Sequence, residues 1–236
     1  MSLCKHKHLS TFKRQSYNCS QKEFYFNSLL LSQILNVPET TKKDLKLKPS
    51  LVDSNKVILC LDLDETLISS TFQKPTDYDF SCVFRDRNNQ RNVVYIKKRP
   101  MLDHFLQTVS QFFDVVIFTA SLKEYADPIL DILDPKNELF RLRLYRDSCS
   151  LFCGSYVKDL RLLTSDMDSI LIVDDLSCSF LFQPDNAINI PSYNYYSRRH
   201  CNCKFDDCLD QVLGILETIN SKQQVLSVIE HSLLIF

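Results

Sequence analysis

Five consecutive apolar residues, Val57 to Leu61, run straight into Asp62-Leu63-Asp64. A short continuous run of this kind reads as a strand buried on both faces, the type found inside a parallel sheet. Side chains alternate along an extended chain, so Asp62 and Asp64 can project into one space if the extended geometry persists. Two like charges at the carboxyl end of a buried strand repel each other, and folding does not require them. In an open α/β sheet that end is where ligands bind. The pair therefore marks a site for a cation, a reacting group, or both.

The chain downstream repeats the pattern. Asp114 to Thr119 reads as a second buried strand ending in a polar residue, and Ile170 to Val173 as another, running into Asp174-Asp175. Leu142 to Tyr145 is a further strand. Between them, Leu102, Phe105, Leu106, Val109 and Phe113 mark one face of a helix opened by Pro100. Leu122, Tyr125, Ala126, Ile129, Leu130 and Leu133 mark another, stopped by Asp134-Pro135. Asp79–Phe84 and Val93–Ile96 read as a hairpin turned by Asn88-Asn89, beside the acidic strand. Leu209, Val212, Leu213 and Leu216 predict a closing helix, and Val225 to Leu234 a second one. Alternating strands and helices imply parallel βαβ units, hence an open sheet with helices on both faces.

Several classes are excluded by composition. Of 236 residues only Gly154 and Gly214 are glycine, which rules out Gly-x-Gly nucleotide loops and P-loops. A net charge of -1 argues against direct nucleic-acid binding. No apolar stretch reaches the roughly 18 to 20 residues of a transmembrane anchor. The ten cysteines are scattered, several within apolar runs, and read as reduced intracellular hydrophobes. None has an arginine six residues on, so cysteine-based phosphatase chemistry is dismissed. His200-Cys201-Asn202-Cys203 with Cys208 lacks the paired spacing of a zinc site and reads as ordinary thiols. Residues 1–50 form a basic N-terminal segment, with an apolar stretch from Phe24 to Leu35 and a Lys-rich linker from Thr40 to Ser50. The folded domain is expected over residues 51–236.

Right-handed crossovers align the three strand ends along one edge, bringing Asp62 and Asp64, Thr119, and Asp174 with Asp175 together. Carboxylates, a hydroxyl and one ammonium make a phosphoryl-transfer site. A carboxylate about 4 Å from a phosphate dianion meets roughly 4 kcal/mol of repulsion per charge pair at an effective dielectric of 20, so about 8 in all. Magnesium on carboxylate oxygens, with a lysine, can cancel it. Lys158, in Tyr156-Val157-Lys158-Asp159-Leu160, is the lysine best placed in sequence.

Asp62-Leu63-Asp64-Glu65-Thr66-Leu67 resembles the first motif of the haloacid dehalogenase superfamily. Lys98-Arg99-Pro100, Phe118-Thr119-Ala120-Ser121-Leu122-Lys123-Glu124-Tyr125-Ala126-Asp127-Pro128, Tyr145-Arg146-Asp147-Ser148-Cys149, the Lys158 segment and Val173-Asp174-Asp175 follow in order. Together they resemble the phosphatases related to those acting on the RNA polymerase II C-terminal domain, over about Val57 to Pro191. That resemblance implies a haloacid dehalogenase-like Rossmannoid sheet with a small β-hairpin beside the site and no large cap domain. It implies Asp62 as nucleophile and Asp64 as general acid and then base. By the same resemblance Thr119 and Lys158 would hold phosphate oxygens, and Arg146 would help receive a phosphoserine. Magnesium would be ligated by Asp62, Asp175 and the main-chain carbonyl of Asp64, with Asp174 bracing Lys158 or a metal-bound water.

An open mouth suits a phosphorylated side chain on a protein partner better than a small metabolite. Phe72, Val94 and Leu122 match places where relatives receive a substrate proline, while Asp86 falls where an apolar residue is expected. Relatives continue the last acidic motif with Ser-Pro, where this chain has Leu176-Ser177. Thr66 is expected to brace its loop and Arg99 to form a structural ion pair. The expected protein is a monomeric intracellular enzyme, of the nucleus or cytoplasm, with the mitochondrion as the other compartment left open. The alternative is a non-catalytic binding module like the mitochondrial import receptors of the same fold.

Overall fold

The computed structural model describes residues 56–196 and 206–219. The basic N-terminal segment, its linker, the His200-Cys203 cluster and the predicted helix at 225–234 lie outside the described residues. Among the described residues no helix is long and apolar enough to cross a membrane.

Five parallel strands form the main sheet. β1 (Val57–Leu61) is central, flanked by β5 (Phe113–Phe118) and β9 (Ile170–Asp174), with β6 (Leu142–Leu144) and β10 (Ala187–Asn189) at the edges. Every residue of β1, β5 and β9 is buried, as continuous apolar runs require in a sheet covered on both faces. Alternate side chains divide the core in two. Leu59, Leu61, Val115, Ile117, Leu171 and Val173 face one side, and Ile58, Cys60, Val116, Phe118, Ile170 and Ile172 the other.

Against the first side pack the apolar stripes of α1 (Leu102–Phe112), α2 (Lys123–Leu133) and α3 (Cys208–Glu217). The second side is closed by 3₁₀ turns at Leu160–Leu162, Met167–Ser169 and Ser177–Phe180, with Leu160, Leu163 and Phe180 buried. Here 159–169 and 175–186 are interrupted by Thr164-Ser165-Asp166 and by Pro184, and form short turns in place of longer helices.

Between β1 and α1 stands a second sheet of β2 (Ile68–Thr71), β4 (Arg91–Lys98) and β3 (Phe80–Arg85), all antiparallel. The predicted hairpin is β3 and β4. β2 was not legible, because Ile-Ser-Ser-Thr offers only one apolar residue. At the hairpin tip Asn89 takes φ 62°, the left-handed region that asparagine tolerates. Asp86 Oδ1 accepts the backbone N–H groups of Asn88 and Gln90, both at 2.9 Å. The unexpected acid at 86 is thus a turn residue. A two-stranded ribbon, β7 (Ser150–Phe152) and β8 (Ser155–Val157), turns through Cys153 (φ 48°) and Gly154 (φ 83°), the paired positive φ of a tight hairpin. It delivers Lys158 to the sheet edge.

Candidate active site

In register, Leu61 pairs with both Ile117 and Val173, and the Asp62 N–H donates to the Val173 carbonyl at 3.0 Å. The chain ends beyond β1, β5 and β9 therefore lie side by side. Lys158, 1 % exposed, enters from the end of β8 and is anchored by its own N–H on the Ser179 carbonyl. Its Nζ donates to Asp62 Oδ1 at 2.5 Å and to Asp174 Oδ2 at 2.6 Å. Burial alone would lower the ammonium pKa. The attraction of Asp174, and then of Asp62, outweighs that and raises it, so the lysine stays charged.

Asp62, Asp174 and Asp175 each present a carboxylate oxygen within 4.8 Å of the others, all three buried. Burial, then repulsion from Asp62 and Asp174, pushes Asp175 up to about 8. Burial also pushes Asp174 up to about 6, with Lys158 pulling the other way. When all three carboxylates are ionised they outnumber the one ammonium by two charges, the complement of a hard divalent cation with oxygen ligands. Thr66, fully buried, accepts the Asp175 N–H at 3.1 Å and donates to its Oδ1 at 3.3 Å, the bracing role expected for it.

Asp64 departs from the strand-alternation expectation. Glu65 adopts φ 65°, breaking the extended geometry, and Glu65 N–H closes the loop on the Ile68 carbonyl at 2.7 Å. The Asp64 carboxylate turns out of the three-carboxylate group toward hydroxyls. Ser121 Oγ donates to Oδ2 at 2.6 Å, Tyr125 Oη to Oδ1 at 2.5 Å, and Ser70 Oγ reaches Oδ1 at 3.4 Å. The Asp64 carboxylate is thus not one of the three grouped oxygen donors. Burial, with smaller contributions from Asp62 and Glu65, raises its pKa against the opposing pull of Ser121 and Tyr125.

Thr119 is buried at the end of β5, and its Oγ accepts the Ser121 N–H at 3.1 Å, leaving its own proton to donate. Half-buried Arg146 donates from Nε to the Ala120 carbonyl at 2.6 Å, and its guanidinium lies 5.1 Å from the centroid of the Tyr156 ring. Leu122 is half-buried at the start of α2. Phe72 is 62 % exposed, its ring 6.2 Å from Phe84 and 6.4 Å from Tyr125. Val94 is a correction: alternation on β4 turns it inward, it has no exposed surface, and it packs in the core, so it supports the wall without touching a ligand.

Arg99 is the expected structural cation, buried and paired bidentately with Asp206 at 2.9 and 3.0 Å. Lys123, on the exposed face of α2, pairs with Asp127 at 2.6 Å and lies over the Tyr145 ring. The sequence reading missed Ser70, Ser121 and Tyr125. Tyr125 sits in the apolar stripe of α2, where a tyrosine among aliphatics was the available signal.

The sheet order, the acidic ends of β1 and β9 and the lysine that joins them define a haloacid dehalogenase-like fold without a large cap. The chain belongs to the NLI interacting factor-like phosphatase family, whose model matches residues 57–226. It is 38% identical over 186 residues to phosphatase Herzog of Drosophila melanogaster, covering 77% of this chain and 49% of that protein. It is 39% identical over 181 residues to a CTD small phosphatase-like protein of Mus musculus, covering 77% and 61%. Carboxy-terminal domain RNA polymerase II polypeptide A small phosphatase 2 of Homo sapiens is 34% identical over 217 residues, covering 90% and 70%. The chain thus spans about half to seven tenths of the length of these relatives. A solved structure of the fission yeast RNA polymerase II CTD phosphatase Fcp1, bound to beryllium fluoride, shares the fold with a TM-score of 0.54. Identity there is 23%, over 78% of this chain and 57% of that one.

Proposed function

We propose that this chain is a magnesium-dependent protein serine/threonine phosphatase that works through an aspartyl-phosphate on Asp62. Its substrate is phosphoserine in an extended protein segment, such as the RNA polymerase II C-terminal domain named in its relatives, or in another phosphoprotein. The observation that carries this reading is the division of labour between two carboxylates two residues apart. Asp62 pairs with the Lys158 ammonium, while Asp64 is turned onto hydroxyls with its pKa raised by burial. Two carboxyl groups in such different surroundings suit the separate roles of nucleophile and proton donor.

Asp62 and Asp175, with the Asp64 main-chain carbonyl, would hold magnesium, and Asp174 braces Lys158. Bound there, the cation supplies the positive charge that offsets repulsion between substrate and carboxylates. Lys158 and the Thr119 hydroxyl orient phosphate oxygens, and Arg146 extends the cationic rim. The free oxygen of Asp62 attacks phosphorus as the phosphorus–serine oxygen bond breaks, and Asp64 gives its proton to the departing alkoxide. Asp64 then takes a proton from the water that attacks the acyl phosphate, which restores Asp62.

The test is hydrolysis of an aryl phosphate by purified protein with magnesium or chelator, alongside Asp62→Asn and Asp64→Asn. Magnesium-dependent turnover lost in both variants is expected. Folded wild type with no turnover above the Asp62→Asn background would remove the enzyme reading and leave a binding module.

A further inference from the structure

Tyr125 is hydrogen-bonded to none of Asp62, Asp174 and Asp175, yet it makes the shortest side-chain contact to Asp64. Its hydroxyl lies 2.5 Å from Asp64 Oδ1 and 2.9 Å from Ser70 Oγ, while Ser121 Oγ lies 2.6 Å from Oδ2. A phenol carries one proton. With that proton on Asp64, Ser70 donates either to the phenol oxygen or to Oδ1 at 3.4 Å. One hydroxyl on each carboxylate oxygen fixes both torsions of the side chain. The tyrosine itself is held by its ring, edge-on to Phe84 at 5.6 Å and 6.4 Å from Phe72, and by its place on α2.

Such fixation is needed because Asp64 lies three residues beyond the end of β1 and directly before the turn at 65–67, outside the strand ladder, so the pleat of β1 does not aim its carboxylate. A carboxyl group free to rotate would fall back toward the Asp62–Asp174–Asp175 group or toward solvent. Resting on the phosphatase reading, we infer that Tyr125, seconded by Ser121, is the positioning residue that holds the Asp64 carboxyl in line with the leaving oxygen. Its importance therefore scales with how badly the leaving group needs a proton.

That dependence separates positioning from mere structure. In the first step the phosphorus–oxygen bond breaks, the Asp62–phosphorus bond forms, and the Asp64 proton goes to the departing oxygen. A serine alkoxide requires that proton, whereas a phenolate stabilised by a nitro group departs largely without it. kcat/KM reports events up to release of the alcohol. General acid catalysis contributes typically about 10² to 10⁴-fold.

The experiment measures kcat/KM with magnesium for a phosphoserine peptide and for 4-nitrophenyl phosphate, in wild type, Tyr125→Phe and Ser121→Ala. Thermal melting checks that each variant is folded. Tyr125→Phe keeps the ring on Phe84 and removes only the hydroxyl. The expected result is a loss on the peptide about tenfold or more greater than the loss on the aryl phosphate, with Ser121→Ala shifted the same way. Equal losses on both substrates in folded variants, or no loss on either, would overturn the inference. Wild type that turns over neither substrate would overturn the phosphatase reading and this inference with it. Wild-type turnover with a flat leaving-group response would remove this inference alone.

Discussion

Thr66 and Asp175 hold each other twice: the threonine hydroxyl accepts the aspartate N–H at 3.1 Å and donates to its carboxylate at 3.3 Å. The pair joins the loop after β1 to the end of β9 and sets the angle at which Asp175 faces Asp62. Thr66→Val preserves shape and removes both bonds. Partners that orient a ligand in this way typically change metal affinity by about 10 to 100-fold. The expected result is magnesium affinity weaker by about tenfold in calorimetric titration. Stability in urea should fall by about 1–3 kcal/mol, because the Asp175 N–H is left buried and unpaired.

Lys158 is the only cation bonded to the buried carboxylates of Asp62 and Asp174 among the described residues. Lys158→Met leaves those charges without their counterion. Breaking a buried pair from one side costs about 3–5 kcal/mol. The variant should unfold at lower urea and show no aryl phosphate turnover, and magnesium should restore part of the stability but none of the activity. Lys158→Arg should not rescue turnover, since a planar fork cannot replace a compact ammonium in this fully buried position.

Protonation of Asp175 and binding of a cation compete for the same oxygens. With burial, and then Asp62 and Asp174, pushing Asp175 up to about 8, the metal-free native state holds a proton that the unfolded chain releases near its ordinary value of 3.8. The native state binds more protons across that window, so stability of the metal-free protein falls as pH rises from about 4 to about 8. Saturating magnesium should flatten that slope. Magnesium affinity should rise with pH up to about 8, and titration in buffers of different ionisation enthalpy should register proton release on binding.

Arg99 fastens three segments: it pairs with Asp206 and donates to the carbonyls of Thr66 at 3.0 Å and Pro191 at 2.8 Å. Arg99→Met strands Asp206 and loosens the Thr66 loop. A loss of about 3–5 kcal/mol in denaturant unfolding is expected. Asp206→Asn should cost less than Arg99→Met, because the two backbone carbonyls still engage the guanidinium.

How much of this was legible in sequence depended on range. β1, β5 and β9 declared themselves through continuous apolar runs, and Asp62, Thr119, Lys158 and Asp175 through the order of short motifs around them. β2 and β10 did not, since runs of only four and three residues are too short to carry a strand pattern and pair only because a neighbour is already there. Val94 looked like a wall residue because its motif position said so, whereas the pleat turned it inward. The hydroxyl clamp on Asp64 was hidden for a different reason. Ser70, Ser121 and Tyr125 come from three separate parts of the chain, β2, the loop after β5 and α2, and only the folded sheet brings them to Asp64.

The central place of β1 also bears on how the protein comes into being at the ribosome. Of the five strands, the one in the middle is the first to be synthesised, yet its two neighbours follow only after the small sheet and α1 on one side, and after α2 and the Lys158 ribbon on the other. Until β9 emerges, one edge of a wholly apolar strand stays open and Lys158 lacks its second carboxylate partner, Asp174. Nascent chains that end before Ile170 therefore cannot complete the sheet. They are the form in which this protein is most exposed to mispairing and most in need of a chaperone.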